Sequence, residues 1–459
     1  MSKGPGVLRA HPAGLAILFL TEMWERFSFY GMRALLVLYM TQQLLLPQNA
    51  ERVFGYGALH SALRSLFGPL STQAMSSQVY GIYTSLLYFT PFFGGLLADR
   101  WLGQYRTVLL GAVLMALGHF LMAFDAAFLF ALLCVIVGNG CFKPNVSTQV
   151  GNLYPRTDAR RDSAFSLFYV GINLGAFIAP IVCGTLGEVY GWHYGFLAAG
   201  VGMLVGLAIF VAGRRHLPPD VRPHQAASGE PAAARPMLPA DLKAIATLCF
   251  IAFVITFFWA SYEQQGNAVV LWVRDSTDRS FFGLFDIRIT WFQSLNPFLI
   301  FALTPLLVMV WARLARRRRE PDVVTKLATG CFLAVLAYAV LTVAAAIAGP
   351  GGRAYWGWTA LFFVLITLAE LHVSPVALSL FSRLAPVPAA SMMMGVWFMS
   401  GMVGNYLAGL LGSFWERMPA TTFWLLAAAV PLLAGCVVMT LRKPLNNAIL
   451  EQAARTGGA

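Results

Sequence analysis

Apolar runs of about 20 residues, each long enough to cross the hydrocarbon core of a membrane, recur along the whole chain. About twelve can be drawn: roughly 13–41, 76–98, 106–124, 127–150, 163–187, 193–213, 242–273, 289–313, 324–348, 355–382, 391–414 and 421–441. They are continuous apolar stretches without period-two alternation, so they predict helices and not the strands of a barrel. Residues 214–240, RRHLPPDVRPHQAASGEPAAARPMLPA, interrupt the pattern, being rich in Pro and Ala, mixed in charge and too polar to span. Six runs precede this stretch and six follow it. The pattern predicts an all-α integral membrane protein with an N-terminal bundle over 1–213, a linker over 214–240 and a C-terminal bundle over 241–459, the two bundles enclosing a central cavity. Within the runs, Gly138, Gly140, Pro144, Pro180 and Pro375 are natural places for kinks, because neighbouring membrane helices can satisfy freed backbone groups.

Composition agrees with a membrane solvent: the chain is 58% hydrophobic and only 11% charged over 459 residues. The first apolar run is too long and too charged for a cleavable signal peptide. A net charge of +12 raises the question of nucleic acid, but the distribution of that charge answers it. With Met1 placed inside, Arg52, Arg64, Arg274, Arg279, Arg288, Arg353 and Arg417 fall outside, and Arg26, Arg33 and Lys143 fall within the membrane. Every other Lys and Arg, including the run Arg316–Arg319, falls in cytoplasmic segments or the linker. That is the positive-inside asymmetry of a multi-pass inner-membrane protein with both termini cytoplasmic, not a nucleic-acid patch. Cys134, Cys141, Cys183, Cys249, Cys331 and Cys436 all lie inside predicted spans and none has metal-ligand spacing, so they read as small packing residues. The histidines are scattered without an HxxxH-type pair, and no metal is assigned.

The chemistry starts in the first run. TEMWERFSFYGMRALL puts Glu22, Glu25, Arg26 and Arg33 inside one spanning helix. At about 100° per residue, Glu25, Arg26, Tyr30 and Arg33 lie near −60°, 40°, 80° and 20° from Glu22, on one flank. Each charge costs about 2.5–3.5 kcal/mol near a helix centre on insertion scales, so this flank must face partners or water within the protein. A charge-paired structural seam, with Glu22 and Arg26 one turn apart and Arg33 snorkelling to the interface, is the competing reading.

Elsewhere the intramembrane charges divide by sign. Arg26, Arg33 and Lys143 belong to the N-terminal half, and Glu263 and Glu370 to the C-terminal half. Opposite charges on opposite bundles can form gate pairs, or can bind a ligand carrying both charges. An extended dipeptide or tripeptide separates its amine and carboxylate by about 7–10 Å, which suits such an arrangement. Asn173 and Asn296 offer amides for peptide backbone, and Tyr30, Tyr83, Trp259 and Trp397 could wall side-chain pockets.

Two resemblances follow from these residues. GGLLADRWLGQYRT, residues 94–107, resembles the loop motif G-x-x-x-D-R-x-x-G-x-[RK]-[RK] of the major facilitator superfamily, with Tyr105 in place of the first basic residue. It implies the major facilitator fold, with Asp99, Arg100 and Arg106 as a charged latch. Glu22-x-x-Glu25-Arg26 resembles the E-x-x-E-R motif of proton-coupled oligopeptide transporters within that superfamily, although Phe29 replaces one of two tyrosines common there. GNGCFKPN around Lys143, FSLFYVGINLG around Asn173, FWASYEQQG around Glu263, WFQSLNP around Asn296 and AELHVSP around Glu370 resemble further blocks of the same family, so the likeness covers essentially all spans. The resemblance implies import of di- and tripeptides driven by protons, with no cofactor beyond the coupling ion. It implies that Arg26 and Lys143 receive the peptide carboxylate and that Glu370, with Asn173 and Asn296, receives the amine and backbone. Glu22, Glu25 and Glu263 are implied in proton coupling, with Arg33 pairing Glu263 at an outer gate. Protonation would then favour the conformation in which that pair is broken. The chain lacks the two extra helices that many bacterial relatives insert between the bundles, and the long insert of animal relatives after span nine.

The bilayer and a small peptide are the expected partners, with no obligatory protein partner evident. A same-fold carrier of another small solute, such as nitrate or an organic anion, is the nearest alternative, though a pure anion needs no acidic receptor for an amine. An intramembrane enzyme would need a nucleophile or metal constellation, which the sequence does not offer. A channel would need a pore ring or filter. A peptide-sensing receptor would bind without accumulating substrate.

Overall fold

The computed structural model describes residues 11–155, 158, 160–220, 239–386 and 389–456. Among the described residues, eleven helices are long and apolar enough to cross a membrane. Helix α1 (Ala13–Tyr39) is as long as these but is set apart by the charges it carries. The chain continues through α2 (Pro47–Ala50), α3 (Tyr56–Phe67), α4 (Thr72–Leu97), α5 (Gln104–Leu121), α6 (Phe128–Asn152), α7 (Arg160–Tyr190) and α8 (Trp192–Ala212). After the linker come α9 (Pro239–Tyr262), α10 (Ala268–Ser276), α11 (Leu295–Arg316), α12 (Val323–Ala348), α13 (Trp356–Leu384), α14 (Ala390–Gly412), α15 (Ala420–Thr440) and α16 (Arg442–Thr456). The protein is an all-α, multi-pass membrane protein with the helical order of the major facilitator fold. The ends of the long helices fall within a few residues of the apolar runs, because the same loss of apolar character that ends a run ends a helix.

Two compact units make up the chain: Met1–Thr72 with Phe89–Glu230, and Gln73–Tyr88 with Pro231–Ala459. The division differs from a cut in the linker alone, since the first half of α4 groups with the C-terminal helices. A Cβ added to Gly81 would lie 2.6 Å from the Gly409 Cα, so the α4–α14 crossing depends on two facing glycines. Most of the predicted linker, 221–238, lies outside the described residues.

In the first unit, α1 packs on α7 and α8, and α5 on α6. Close approach is again made by small residues: a Cβ on Gly175 would come within 2.2 Å of the Met23 carbonyl oxygen. In the second unit, α12 packs on α13 and α15, and α9 on α14.

The seventh span is not the single helix its pattern predicts. After Tyr262 the chain tightens into a 3₁₀ turn, Glu263–Gly266, before α10 begins. The break is held from outside the segment. Gln264 Nε2 donates to the Ala408 carbonyl at 2.8 Å, and Ser77 Oγ donates to Asn267 Oδ1 at 2.8 Å. By contrast, the helices run without interruption through Pro144, Pro180 and Pro375.

At one end of the second unit Asp322 caps α12, accepting from the Thr325 amide at 2.8 Å and from Arg442 Nη2 at 2.6 Å. Burial pushes its carboxyl up, but hydrogen bonds from Asn446, Thr325 and Arg442 outweigh this and hold it at about 2. The same contacts fasten α16 to the bundle, helped by Lys243 to Glu451 at 2.7 Å. The cysteines behave as packing residues with one correction: Cys436 is exposed, because it lies on the outer face of α15. Among the described residues no cluster of His, Cys, Asp and Glu could hold a metal ion.

Candidate functional site

The charged flank of α1 closes on itself. Arg26 lies against Glu25 through two contacts, Nε to Oε2 and Nη2 to Oε1, the latter at 2.7 Å. Its Nε is also 3.3 Å from Glu22 Oε1, one helical turn away. All three side chains are buried, with exposures of 3% for Glu22, 0% for Glu25 and 5% for Arg26. The guanidinium stands 5.1 Å from the centre of the Phe29 ring, so the residue that departs from the tyrosine pattern supplies a ring face to the arginine. Lys143 on α6 and Tyr30 on α1 are close enough to interact electrostatically with Glu22 and Arg26 respectively. Five of the residues expected from the sequence therefore meet in one place: Glu22, Glu25, Arg26, Tyr30 and Lys143.

Two further predicted residues also lie in this unit. Asn173 is buried on α7, and its amide nitrogen donates to the Tyr169 carbonyl one turn earlier at 3.0 Å. Arg33 is half-buried in the last third of α1. One residue of the cluster was not anticipated: Asn139, 2% exposed, whose Oδ1 accepts from Arg26 Nη2 at 3.5 Å. Its signal was available, since it lies four residues before Lys143 on the same face of α6. A second unanticipated pair, Ser28 Oγ and His119 Nε2 at 2.8 Å, joins α1 to α5 with both residues fully buried.

The second unit builds a site of another kind. Glu370 on α13 is half-buried, and its Oε2 accepts from the Tyr262 hydroxyl at 2.7 Å and from Asn296 Nδ2 at 2.9 Å. Asn296 Nδ2 also reaches Thr367 Oγ1 at 3.1 Å, which fixes the amide between two turns of α13. Tyr262, the last residue of α9, connects this acid to an aromatic wall. Its ring meets Trp259 edge-on at 5.3 Å, and Trp259 meets Trp397 at 6.3 Å. Glu370, Asn296, Trp259 and Trp397 are thus brought together as expected, through a tyrosine the sequence reading passed over beside Glu263.

Glu263 itself is 3% exposed in the 3₁₀ turn and electrostatically close to Tyr338 of α12. Tyr83 is 1% exposed in the part of α4 that belongs to the second unit, so it is core and not open wall in this structure. His372 Nδ1 donates to the Leu368 carbonyl, 2.8 Å away, and the ring packs edge-on to Trp311, a structural setting.

The charged latch is the prediction that changes most. Asp99, Arg100 and Arg106 are exposed, and among the described residues their side chains make no ion pair. The turn is closed by Asp220, whose Oδ1 accepts from the Tyr105 amide at 2.8 Å and so caps the start of α5. Gly103 has φ of +78°, and a Cβ there would lie 2.9 Å from the Asp220 carboxyl carbon, so both backbone and space demand glycine. Tyr105 is buried, stacked on Phe210 at 4.9 Å with Arg214 4.7 Å over its ring. A basic side chain at 105 would be desolvated there. The cation comes instead from Arg214, just after α8.

Comparison with known proteins places these features. "Peptide transporter YePEPT" of Yersinia enterocolitica subsp. palearctica is 34% identical, over 97% of this chain and 97% of its own length. A "Di-/tripeptide transporter" of Lactococcus lactis subsp. cremoris is 32% identical over 95% of this chain and 96% of its own. Among solved structures, peptide transporter POT in complex with sulfate superposes with a TM-score of 0.82 at 29% identity, covering 97% of both chains. A POT family transporter in complex with 5-aminolevulinic acid matches with a TM-score of 0.80 at 25% identity, over 95% of this chain and 97% of that one. The POT family model matches residues 105–229 and 227–428, and with relatives this similar along nearly the whole length, the chain belongs to the POT family.

Proposed function

We propose that this chain is a symporter, not an enzyme, that imports di- and tripeptides by alternating access and is driven by protons. Relatives named as peptide and di-/tripeptide transporters, aligned over nearly the whole chain, support that substrate class. The observation within the molecule that carries the reading is Glu370, an acid held in place by the neutral donors Tyr262 and Asn296. Those two donors orient the carboxylate, and an acid so oriented suits a substrate ammonium. A carrier of simple anions has no use for it. In the other unit Arg26 and Lys143 supply the charge that a peptide carboxylate needs, and Trp259 and Trp397 supply apolar surface for a side chain. The same chemistry fits 5-aminolevulinic acid, bound by a POT family structure, which also carries an amine and a carboxylate.

For coupling we assign Glu22, Glu25 and Glu263, with Arg33, to proton binding and release, and no cofactor besides the proton. Glu22 and Glu25 share one arginine, so a single proton on either still leaves Arg26 an ionised partner. A peptide carboxylate arriving at Arg26 would compete with them and favour protonation, which links substrate and proton uptake without a metal or nucleotide. The distribution of Lys and Arg supports cytoplasmic termini, and the bacterial relatives support an inner-membrane location.

Proteoliposomes test the proposal. Labelled dialanine should accumulate above equilibrium only under an inward proton gradient, and excess unlabelled dipeptide should abolish it. Vesicles containing folded protein but showing no competed uptake would move the assignment to another solute. A Glu263→Gln variant that still follows the imposed pH gradient normally would remove Glu263 from the coupling set.

A further inference from the structure

One helix is unlike the rest. Only 6% of the most apolar stretch of α11 is buried, against 39–67% for the other ten apolar spans. Its exposed stripe has a clear order. At about 100° per residue, Val310, Arg313 and the C-cap Arg317 fall within about 40° of Leu306. Leu306, Met309 and Val310 are exposed at 53%, 47% and 46%, and Arg313, Arg316 and Arg317 are exposed as well. An apolar ladder therefore runs directly into a cationic one.

The opposite face is settled by contrast. Trp311 packs edge-on to His372, with Lys326 Nζ 4.3 Å over its ring, and Lys326 is also paired to Glu320 at 2.5 Å. Two other cations of this unit have acids too, Arg442 with Asp322 and Lys243 with Glu451. Arg313 and Arg316–Arg319 have none among the described residues. The backbone holds the run together at a cost, since Arg318 has φ of +53°, a conformation non-glycine residues seldom adopt. Exposed charges crowded this way ask for an anion, and among the described residues the protein supplies none.

We propose that the end of α11 is a binding site for an anionic phospholipid. The headgroup phosphate is taken by Arg313 and Arg317, whose guanidinium forks suit phosphate oxygens. The acyl chains lie along Leu306, Met309 and Val310. Charge complementarity and the continuous apolar stripe select this occupant: a free anion would use the arginines but not the ladder, and a neutral lipid the reverse.

The test uses the full-length protein in phosphatidylcholine bilayers, with spin-labelled phosphatidylglycerol and phosphatidylcholine as probes of the lipid bound to protein. The native chain prefers phosphatidylglycerol. Arg313→Gln lowers that preference about fivefold, the worth of one basic residue near an anionic surface, and Arg313→Gln/Arg317→Gln lowers it by a further factor of about five. Leu306→Gln/Val310→Gln weakens both lipids and leaves their ratio nearly unchanged. Arg52→Gln/Arg64→Gln, removing equal charge from exposed positions elsewhere, retains the preference. Because among the described residues the side chains of Arg313 and Arg317 make no hydrogen bond or ion pair, the variant is expected to keep the native thermal midpoint, and a measured midpoint that stays unchanged ties the loss to lipid. Parity in the native protein, an undiminished preference in Arg313→Gln/Arg317→Gln, or an equal loss in Arg52→Gln/Arg64→Gln overturns the site. Displacement of the labelled lipid by glycerol phosphate alone overturns the lipid as its occupant.

Discussion

The two units handle buried charge in opposite ways. In the first, Arg26 is enclosed by acids from its own helix, Glu22 one turn before it and Glu25 beside it. In the second, Glu370 is gripped by a hydroxyl and an amide from two other segments, at Tyr262 and Asn296. One arrangement balances charge locally and can be built by a single helix. The other orients a charge through neutral dipoles and exists only once α9, α11 and α13 are assembled. The difference teaches where ionisation and where geometry should dominate: substitutions in the first site disturb stability and proton binding together, whereas those in the second should touch recognition with little effect on the fold.

The largest effect is expected at Arg26. Arg26→Ala leaves two carboxylates buried in the membrane interior without their shared cation, and breaking a buried pair from one side costs about 3–5 kcal/mol. Thermal unfolding in detergent should show a large drop in midpoint, and uptake should vanish. The double variant Arg26→Ala/Glu25→Ala should be less destabilised than the sum of its singles, because the second change removes a charge the first has stranded. Additive losses would break the comparison, since the acids would then be indifferent to the arginine.

Glu370→Gln sharpens the other half. Both Tyr262 and Asn296 donate to the same oxygen, so a glutamine oxygen at that place keeps both bonds, and the stability change should stay below about 1 kcal/mol. What is lost is the negative charge. A charged hydrogen bond is worth about 1.5–3 kcal/mol, so the KM for dialanine should rise by roughly tenfold to a hundredfold. Inhibition by N-acetyl-dialanine, which has no ammonium, should be nearly the same in both proteins. If both ligands weaken equally, Glu370 shapes the pocket and does not receive the amine.

The same contrast explains what was legible in the chain. Spans were readable because membrane helices are long apolar runs, and the α1 cluster because its charges share one helical flank and need no knowledge of tertiary neighbours. The break at Glu263–Gly266 was hidden because no proline marks it and a single glycine such as Gly266 is common inside membrane helices; Gln264 and Asn267 are pulled into it by Ala408 and Ser77, far away in sequence. The prolines that did stand out lie in continuous helices, since a membrane helix can lose one hydrogen bond and still run on. Tyr262 was overlooked for the reason Tyr105 looked anomalous: an aromatic residue in an apolar run does not say whether its polar end or its ring face is in use. For Tyr105 the answer lay in Arg214 and Asp220, more than a hundred positions later, which no local motif reports.

The smallest effect should come where the same arginine–carboxylate chemistry meets water. Asp322 pairs with Arg442 at the edge of the second unit, where both side chains are partly exposed, at 29% and 47%. Its carboxyl is held at about 2, below the ordinary value near 4, by hydrogen bonds that outweigh the burial opposing them. A depressed folded-state pKa stabilises the fold above the unfolded value, and the contribution fades as the pH falls from about 4 through about 2. Solvent screening limits it, so Asp322→Asn should cost about 1 kcal/mol at neutral pH, a cost that shrinks as the pH falls through about 2 and vanishes below it. Asparagine still caps a helix, so the α12 cap survives, and the loss isolates the pair that fastens α16. Amide exchange along α16 should accelerate at neutral pH in the variant and match the native chain once the acid is protonated. A loss at pH 7 as large as that of Arg26→Ala would mean that burial is not what sets the two pairs apart.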